Sequence, residues 1–351
     1  MSQRGLIPAA GTGTPRLDGL DALRGFAALA VVIFHYANRS VAIYPELGRQ
    51  VGVARWGQYG VHLFFVISGF VIFMTLQRAT PRSFLVSRFI RLYPIYWVCA
   101  LITLVTVAVV GLPGREVSAS DAAVNVTMLQ SFLGAELIDG AYWTLAAELA
   151  FYAQVGFLFF LGLLTPSRST LVMYAWVSLV TAMELAGVLF DPLRGLALIP
   201  GVLWMPLFVA GMALFRIWTG DRSLGIMGLP VYCVLAMLLK GSEVAVASAV
   251  AIALVGATLV ISSRTTFRTL KTPMIFLGAI SYPLYLIHQN LGYVVLRQLE
   301  HLGWAQGPSV VAALVLIVAL AAGLTYFVDI PIRKALKKRL LTAPRVRSHS
   351  V

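Results

Sequence analysis

Charge is scarce in this chain. Only 12% of its 351 residues are Asp, Glu, Lys or Arg, against roughly 25% in an ordinary soluble domain. Acids are scarcer still, with 14 Asp and Glu facing 27 Lys and Arg for a net charge of +13. A water-facing surface built from so few polar groups could not cover a composition that is 59% hydrophobic. No hydrophilic stretch is long enough for a separate soluble domain. Cysteine is also nearly missing. Cys99 and Cys233 both sit in apolar runs without motif spacing, which argues against a disulfide framework or a thiolate metal site. They read as small buried hydrophobes, and no metal is expected.

What the chain has instead is hydrophobic length. Its mean hydropathy is +0.86. Apolar segments near the roughly 20 residues that cross a bilayer recur at 20–38, 58–77, 88–111, 143–164, 170–189, 200–217, 224–239, 244–262, 274–296 and 309–329. The seventh is short and the fourth begins with polar residues, so either can be re-entrant. The first has no small-residue cleavage site after it and reads as a spanning helix, not a removed signal peptide. The expected fold is all-α: a polytopic bundle of about ten spanning helices. Residues 1–19 form an N-terminal segment, 20–330 the membrane domain, and 331–351 a basic, unpatterned tail.

Ten crossings put both termini on one side. Seven basic residues then fall on the opposite side: Arg39, Arg49, Arg55, Arg115, Arg194, Lys240 and Arg297. The other 20 of the 27 share the terminal side. The positive-inside rule makes that side cytoplasmic, and the excess charge reads as topology, not nucleic-acid binding. Acids such as Glu46, Glu116, Asp121, Glu136, Asp139, Asp191, Glu243 and Glu300 concentrate outside. The longest loop, about 112–142, is also outside; it can cover an acceptor or simply connect.

Polar groups inside a bilayer are costly, so each is a candidate site residue with a partner to be found. Arg24 and His35 are 11 residues apart on the first helix, which puts them on one face and about 16 Å apart along the axis. A guanidinium at the mouth suits a phosphate-bearing ligand, and an imidazole further in suits proton abstraction. Arg24 reads equally as a snorkelling charge, and His35 as an interhelical hydrogen bond. Arg88 and Arg91, three apart on one face, fit phosphate gripping or topology. Glu148, with Thr144 one turn before it, needs a partner: Arg24, Arg88, Arg91 or His35. Glu184 is also inside a helix but carries no motif. Ser68-Gly69, within an aromatic run, reads as close packing. Tyr282, Tyr285 and His288 form one stripe around Pro283 that lines an acceptor path or an aromatic belt.

Taken in order, these segments resemble the acyltransferase-3 family of membrane O-acyltransferases. The carriers are Leu17-Asp18-Gly19-Leu20 with Arg24 and His35, Gly60 to Phe70, Arg88-Phe89-Ile90-Arg91 with Leu92-Tyr93-Pro94, Trp143 to Glu148 with Phe151-Tyr152, and Ser281 to His288. The resemblance implies a cytoplasmic acyl-CoA donor, acetyl-CoA by default. It implies a hydroxyl acceptor on a carbohydrate, glycolipid or cell-envelope polysaccharide, giving O-acetylation. It makes His35, Arg24 and Glu148 the catalytic group, with His35 as base or acyl carrier. It assigns Arg88, Arg91 and Arg24 to the donor, and it leaves His288, Tyr285 and Trp143 for the acceptor. A multi-pass location in the inner or plasma membrane follows, in contact with the lipid bilayer. Without an appended transferase domain, the membrane unit completes the transfer or hands the acyl group to partner proteins of an envelope pathway. The departures are His62 where an acid is expected, an extra Asp21-Ala22 in the first motif, and Tyr326 to Pro331, which only approximates the family's aromatic–acid–Pro ending. A proton-coupled transporter or flippase of a glycolipid or small solute is the rival reading. It accounts for the buried Glu and His but not for the paired arginines.

Overall fold

The structure is a computed structural model that describes residues 17–186, 202–262 and 271–341. Among these residues every regular element is helical. From the charge distribution above, Arg4, Arg16, Asp191, Arg194, Arg264, Arg268, Arg345 and Arg347 lie outside the described residues. So do residues 1–16 of the N-terminal segment and 342–351 of the tail.

Each of the ten expected segments falls on a helix. In chain order they are α1 (Asp18–Phe34), α2 (Gly60–Leu76), α3 (Pro81–Val110), α4 (Trp143–Phe160), α5 (Ser169–Leu185), α6 (Met205–Trp218), α7 (Leu224–Met237), α8 (Ser242–Ser262), α9 (Lys271–His301) and α10 (Gln306–Gly323). Among the described residues, six helical stretches are long and apolar enough to cross a membrane: Asp18–Ile43, Gly52–Leu76, Pro81–Val110, Gly140–Phe160, Ser242–Ile261 and Gln306–Leu340. Ser169–Leu185, Val202–Trp218 and Leu224–Lys240 are shorter apolar helices. The protein is a multi-pass helical bundle.

Two boundaries differ from expectation in ways that shape the site. α3 begins at Pro81, not at 88, because Thr80 and Ser83 form a capping box and Pro81 suits the first helical position. The Thr80 hydroxyl accepts from the Ser83 N–H at 3.2 Å, and the Ser83 hydroxyl accepts from the Thr80 N–H at 2.8 Å. Arg88 and Arg91 therefore sit about two turns inside a formed helix, not at its entrance. The tail is likewise not unpatterned. A π-helical turn at Leu324–Asp329 leads from α10 into an eleventh helix, α11 (Ile330–Leu340), which starts with Pro331 in its first turn and packs on α3.

Close helix crossings set the geometry of the core. α1 packs chiefly on α9, and α2 on α6. In the first pair, a β-carbon on Gly25 would stand 2.1 Å from the Met274 carbonyl oxygen, and one on Gly278 would stand 1.9 Å from that of Asp21. In the second, Gly69 faces the Phe208 carbonyl and Gly211 that of Val66, each at 2.0 Å from the missing carbon. Only glycine permits backbones this close, which is how small residues bind helices together in lipid.

The long loop 112–142 is folded. Ser118 caps a short helix, Ala119–Asn125. Buried Asn125 donates to the carbonyls of Asp121 and Glu136 and accepts from the Ile138 N–H. Buried Asp139 accepts from the N–H groups of Ala141 and Asn290, both at 2.9 Å, and the Asn290 amide donates to the Ile138 carbonyl. The loop is thus fastened to α9 two residues beyond His288.

Candidate active site

His35 occupies a break in α1. A π-helical turn, His35–Arg39, follows the regular helix, and such turns recur at functional sites. The His35 Nδ1 lies 2.8 Å from the Val31 carbonyl oxygen and 3.2 Å from Nε2 of His288. The two imidazoles meet edge to face with centroids 4.7 Å apart. With both rings uncharged, the hydrogen bonds assign their tautomers. His288 Nδ1 faces the Tyr285 carbonyl at 2.7 Å and must donate, so its Nε2 accepts. His35 Nδ1 then donates, and the lone pair on His35 Nε2 is left for chemistry. Tyr36 reinforces the arrangement by donating to the His288 carbonyl at 2.9 Å.

A second group stands beside His35 that the sequence did not single out. The Tyr293 ring centroid is 6.3 Å from that of His35. Its side chain is fully buried, and its hydroxyl has no hydrogen-bond partner among the described residues. An unmet buried hydroxyl is costly unless a ligand completes it. Its signal was a tyrosine one turn and one residue after His288 on α9, which is weak in a chain with 13 tyrosines.

At the end of the bundle that carries α11, an open cavity collects charge. Asp21, Arg24, Arg88, Arg91, Glu148, Tyr152, Arg333 and Lys337 line it. Arg88 lies 5.8 Å from the ring centroids of Phe84 and Tyr152, and Arg91 lies 5.8 Å from that of Tyr282. Contact with ring faces leaves guanidinium N–H groups available in plane. Glu148 accepts hydrogen bonds from the Ser68 hydroxyl, at 3.1 Å, and from the Tyr152 hydroxyl. Arg24 lies within its electrostatic reach. Of the four partners the sequence allowed Glu148, His35 is instead bonded to His288.

A much narrower cavity adjoins the open one. It shares Arg24, Ser68 and Glu148 with the first and continues between Val61, Phe64, Phe65, Thr144, Leu145, Tyr282 and Tyr285. Thr144 and Tyr285 are joined hydroxyl to hydroxyl at 2.8 Å. The Tyr285 ring is 5.3 Å from that of His288. Arg24 and Tyr285 thus line one mostly apolar path, and the histidine pair lies outside its lining, next to Tyr285. Trp143 stands behind its wall, against Phe65 and Trp204 at 6.2 and 5.9 Å. His62 is outside the path as well: it is buried, 3.2 Å from the Ser248 hydroxyl and packed between Tyr59 and Trp204. Glu184 pairs with Lys240 in a mostly buried bridge, which explains its place without chemistry.

The opposite end holds a third cavity. Tyr36, Glu46, Glu300, Trp304, Gln306 and Ser309 are among its lining. Through Tyr36 it adjoins the backbone of His288.

Comparison with known proteins places these features in context. The family model described as an acyltransferase domain matches residues 17–328. Among curated proteins, Acyltransferase MdmB of Streptomyces mycarofaciens is 32% identical over 147 residues, which is 39% of this chain and 38% of that protein. No solved structure matches.

Proposed function

The chain belongs to the acyltransferase family whose domain its residues 17–328 match, and from that premise we propose that it moves an acyl group, acetyl by default, from coenzyme A to a hydroxyl of a carbohydrate or envelope glycan. The observation that carries this reading is a length. Arg24 and His35 are about 16 Å apart along α1. About thirteen bonds separate the nearer phosphorus of coenzyme A from its sulfur, which at the ~3.5 Å per three bonds of an extended chain is about 15 Å. With the diphosphate among Arg24, Arg88 and Arg91, the thioester reaches His35 through the path between Phe64, Thr144 and Tyr285.

Chemistry then follows from the tautomers. His35 Nε2 takes the proton of the acceptor hydroxyl as its oxygen adds to the thioester carbonyl. Tyr293 supplies the hydrogen bond that the developing oxyanion needs. As the carbon–sulfur bond breaks, the imidazolium returns its proton to the leaving thiolate, so an ester and free coenzyme A result. His288 holds the ring and its tautomer. Glu148, tied to Ser68 and Tyr152, balances Arg24.

The acceptor side is supported by the third cavity. A half-exposed Trp304, two carboxylates and the Gln306 amide are the lining that polyhydroxylated ligands use. The charge distribution supports ten crossings with cytoplasmic termini, in a cell membrane, so that donor and acceptor arrive from opposite faces.

The test uses membranes carrying His35 or His35→Ala at equal protein level, given coenzyme A with a labelled acetyl group. Label entering envelope carbohydrate or lipid only with His35 supports the proposal and names the acceptor fraction. Equal incorporation by both removes His35 from the chemistry. A transporter would not bind coenzyme A at all.

A further inference from the structure

Five cations line the charged cavity, and two of them, Arg333 and Lys337, come from α11. Nothing in the reaction as described requires them, since Arg24, Arg88 and Arg91 already stand where the diphosphate lies. Their placement is nevertheless built. Arg333 and Lys337 are four residues apart and share one face of α11. The buried Asp329 carboxylate, at the end of the π-helical turn, holds Arg333 at 2.7 Å. Arg333 is only partly exposed, while Lys337 is open to solvent at the rim. Even with Asp329 counted beside Asp21 and Glu148, two of the five cations are unbalanced. Like charges gathered around a cavity raise the local concentration of a polyanion.

The order of groups along the donor decides which anion the rim receives. The thioester is innermost and the diphosphate lies at Arg24. The adenosine and its 3′-phosphate are the part of coenzyme A beyond the diphosphate, so they are furthest from His35. Arg333 and Lys337 line that cavity from α11, a separate helix from those that carry Arg24, Arg88 and Arg91. We propose that Arg333 and Lys337 form a clamp for the 3′-phosphomonoester of coenzyme A, so that the C-terminal helix makes the protein select the phosphorylated donor over its dephosphorylated form. This rests on coenzyme A being the donor. It also gives the Asp329-Ile330-Pro331 segment a purpose: Asp329 aims Arg333, and Pro331 starts the helix that carries both cations.

The test measures equilibrium binding of coenzyme A and of 3′-dephospho-coenzyme A to the full-length protein in nanodiscs of neutral lipid, which removes competing anionic headgroups. The wild-type protein should prefer coenzyme A by roughly 10- to 100-fold, the range for charge-assisted hydrogen bonds to one phosphate. R333Q/K337Q should bind the dephospho form as the wild type does and lose the preference. The charge-matched control K334Q/R339Q removes two cations of the same helix that do not line the cavity, and it should keep the preference. An R333Q/K337Q protein that still discriminates overturns the clamp. So does equal weakening toward both ligands, which would place the pair at the diphosphate, and so does a wild type that binds both ligands alike. Failure of the wild type to bind either ligand would remove the donor reading and the clamp with it.

Discussion

The replacement His288→Ala separates a base from the residue that orients it. The His35 Nδ1 proton has two acceptors, the Val31 carbonyl at 2.8 Å and His288 Nε2 at 3.2 Å. Alanine removes the longer contact and leaves the shorter, so the tautomer that frees His35 Nε2 survives. One hydrogen bond contributes about 1 kcal/mol net. Loss of the edge-to-face ring contact adds about 0.5–1 kcal/mol. Together, about 1.5–2 kcal/mol predicts a fall in kcat of roughly 10- to 30-fold. His35→Ala removes the base itself and should cost roughly 100- to 10,000-fold. The donor KM should change little in His288→Ala, because Arg24 is about 16 Å from His35 along the first helix and Arg88 and Arg91 are on α3. The assay is initial-rate transfer of labelled acetyl in membranes at matched protein level, with donor varied. His288→Gln, whose side-chain oxygen can accept from His35, should recover part of the loss. The reasoning is refuted if His288→Ala is as inactive as His35→Ala and glutamine does not rescue it, since His288 would then handle the proton. A raised donor KM with kcat unchanged would instead place His288 on the donor arm.

Three further outcomes follow from the packing and the loop. Gly278→Ala and Gly69→Ala each force a carbon to about 2 Å from a backbone carbonyl and should cost about 1–3 kcal/mol. Thermal unfolding in detergent should show a lowered Tm for both and none for Gly52→Ala, which faces open space. Glu184→Ala strands the Lys240 ammonium in a mostly buried site and should cost about 3–5 kcal/mol. Adding Lys240→Ala should restore most of it, and a double variant no better than the single one would show that the pair is not the cause. Burial raises the Asp139 carboxyl to about 6, although the Asn290 and Ala141 N–H groups and the Arg115 charge oppose the rise. Folding therefore favours the protonated acid, whose stabilisation is full below pH of about 4 and lost as pH rises through about 6. That upward shift of the carboxyl is worth roughly 3 kcal/mol. Limited proteolysis of loop 112–142 should be slower at pH 5 than at pH 7.5, and Asp139→Asn should abolish that difference.

Hydropathy and spacing carried much of this protein. The bilayer as solvent, the ten helical segments, and His35 and Arg24 on one helix with Arg88 and Arg91 on another all follow from local sequence. A hydrophobic run of spanning length and a 3.6-residue repeat need no knowledge of neighbours. Even so, the Thr80–Ser83 capping box was present in the sequence and moves the start of α3. The continuation into α11 was obscured because its cations dominate the composition of the tail.

What only the tertiary structure decided is which helix faces meet. His35 and His288 are 253 residues apart, and nothing local to either says that they share a hydrogen bond. The expected stripe of Tyr282, Tyr285 and His288 divides among three partners on different elements: Leu92, Thr144 and His35. Glu148 bonded to Ser68 and Tyr152, and Arg333 joined a site that lies across the chain from it in sequence. The physical reason is that lipid hides apolar faces without choosing among them. The choice is made by backbone contact of Gly25 with Gly278, of Gly69 with Phe208 and of Gly211 with Val66. The polar groups fall where those crossings leave them.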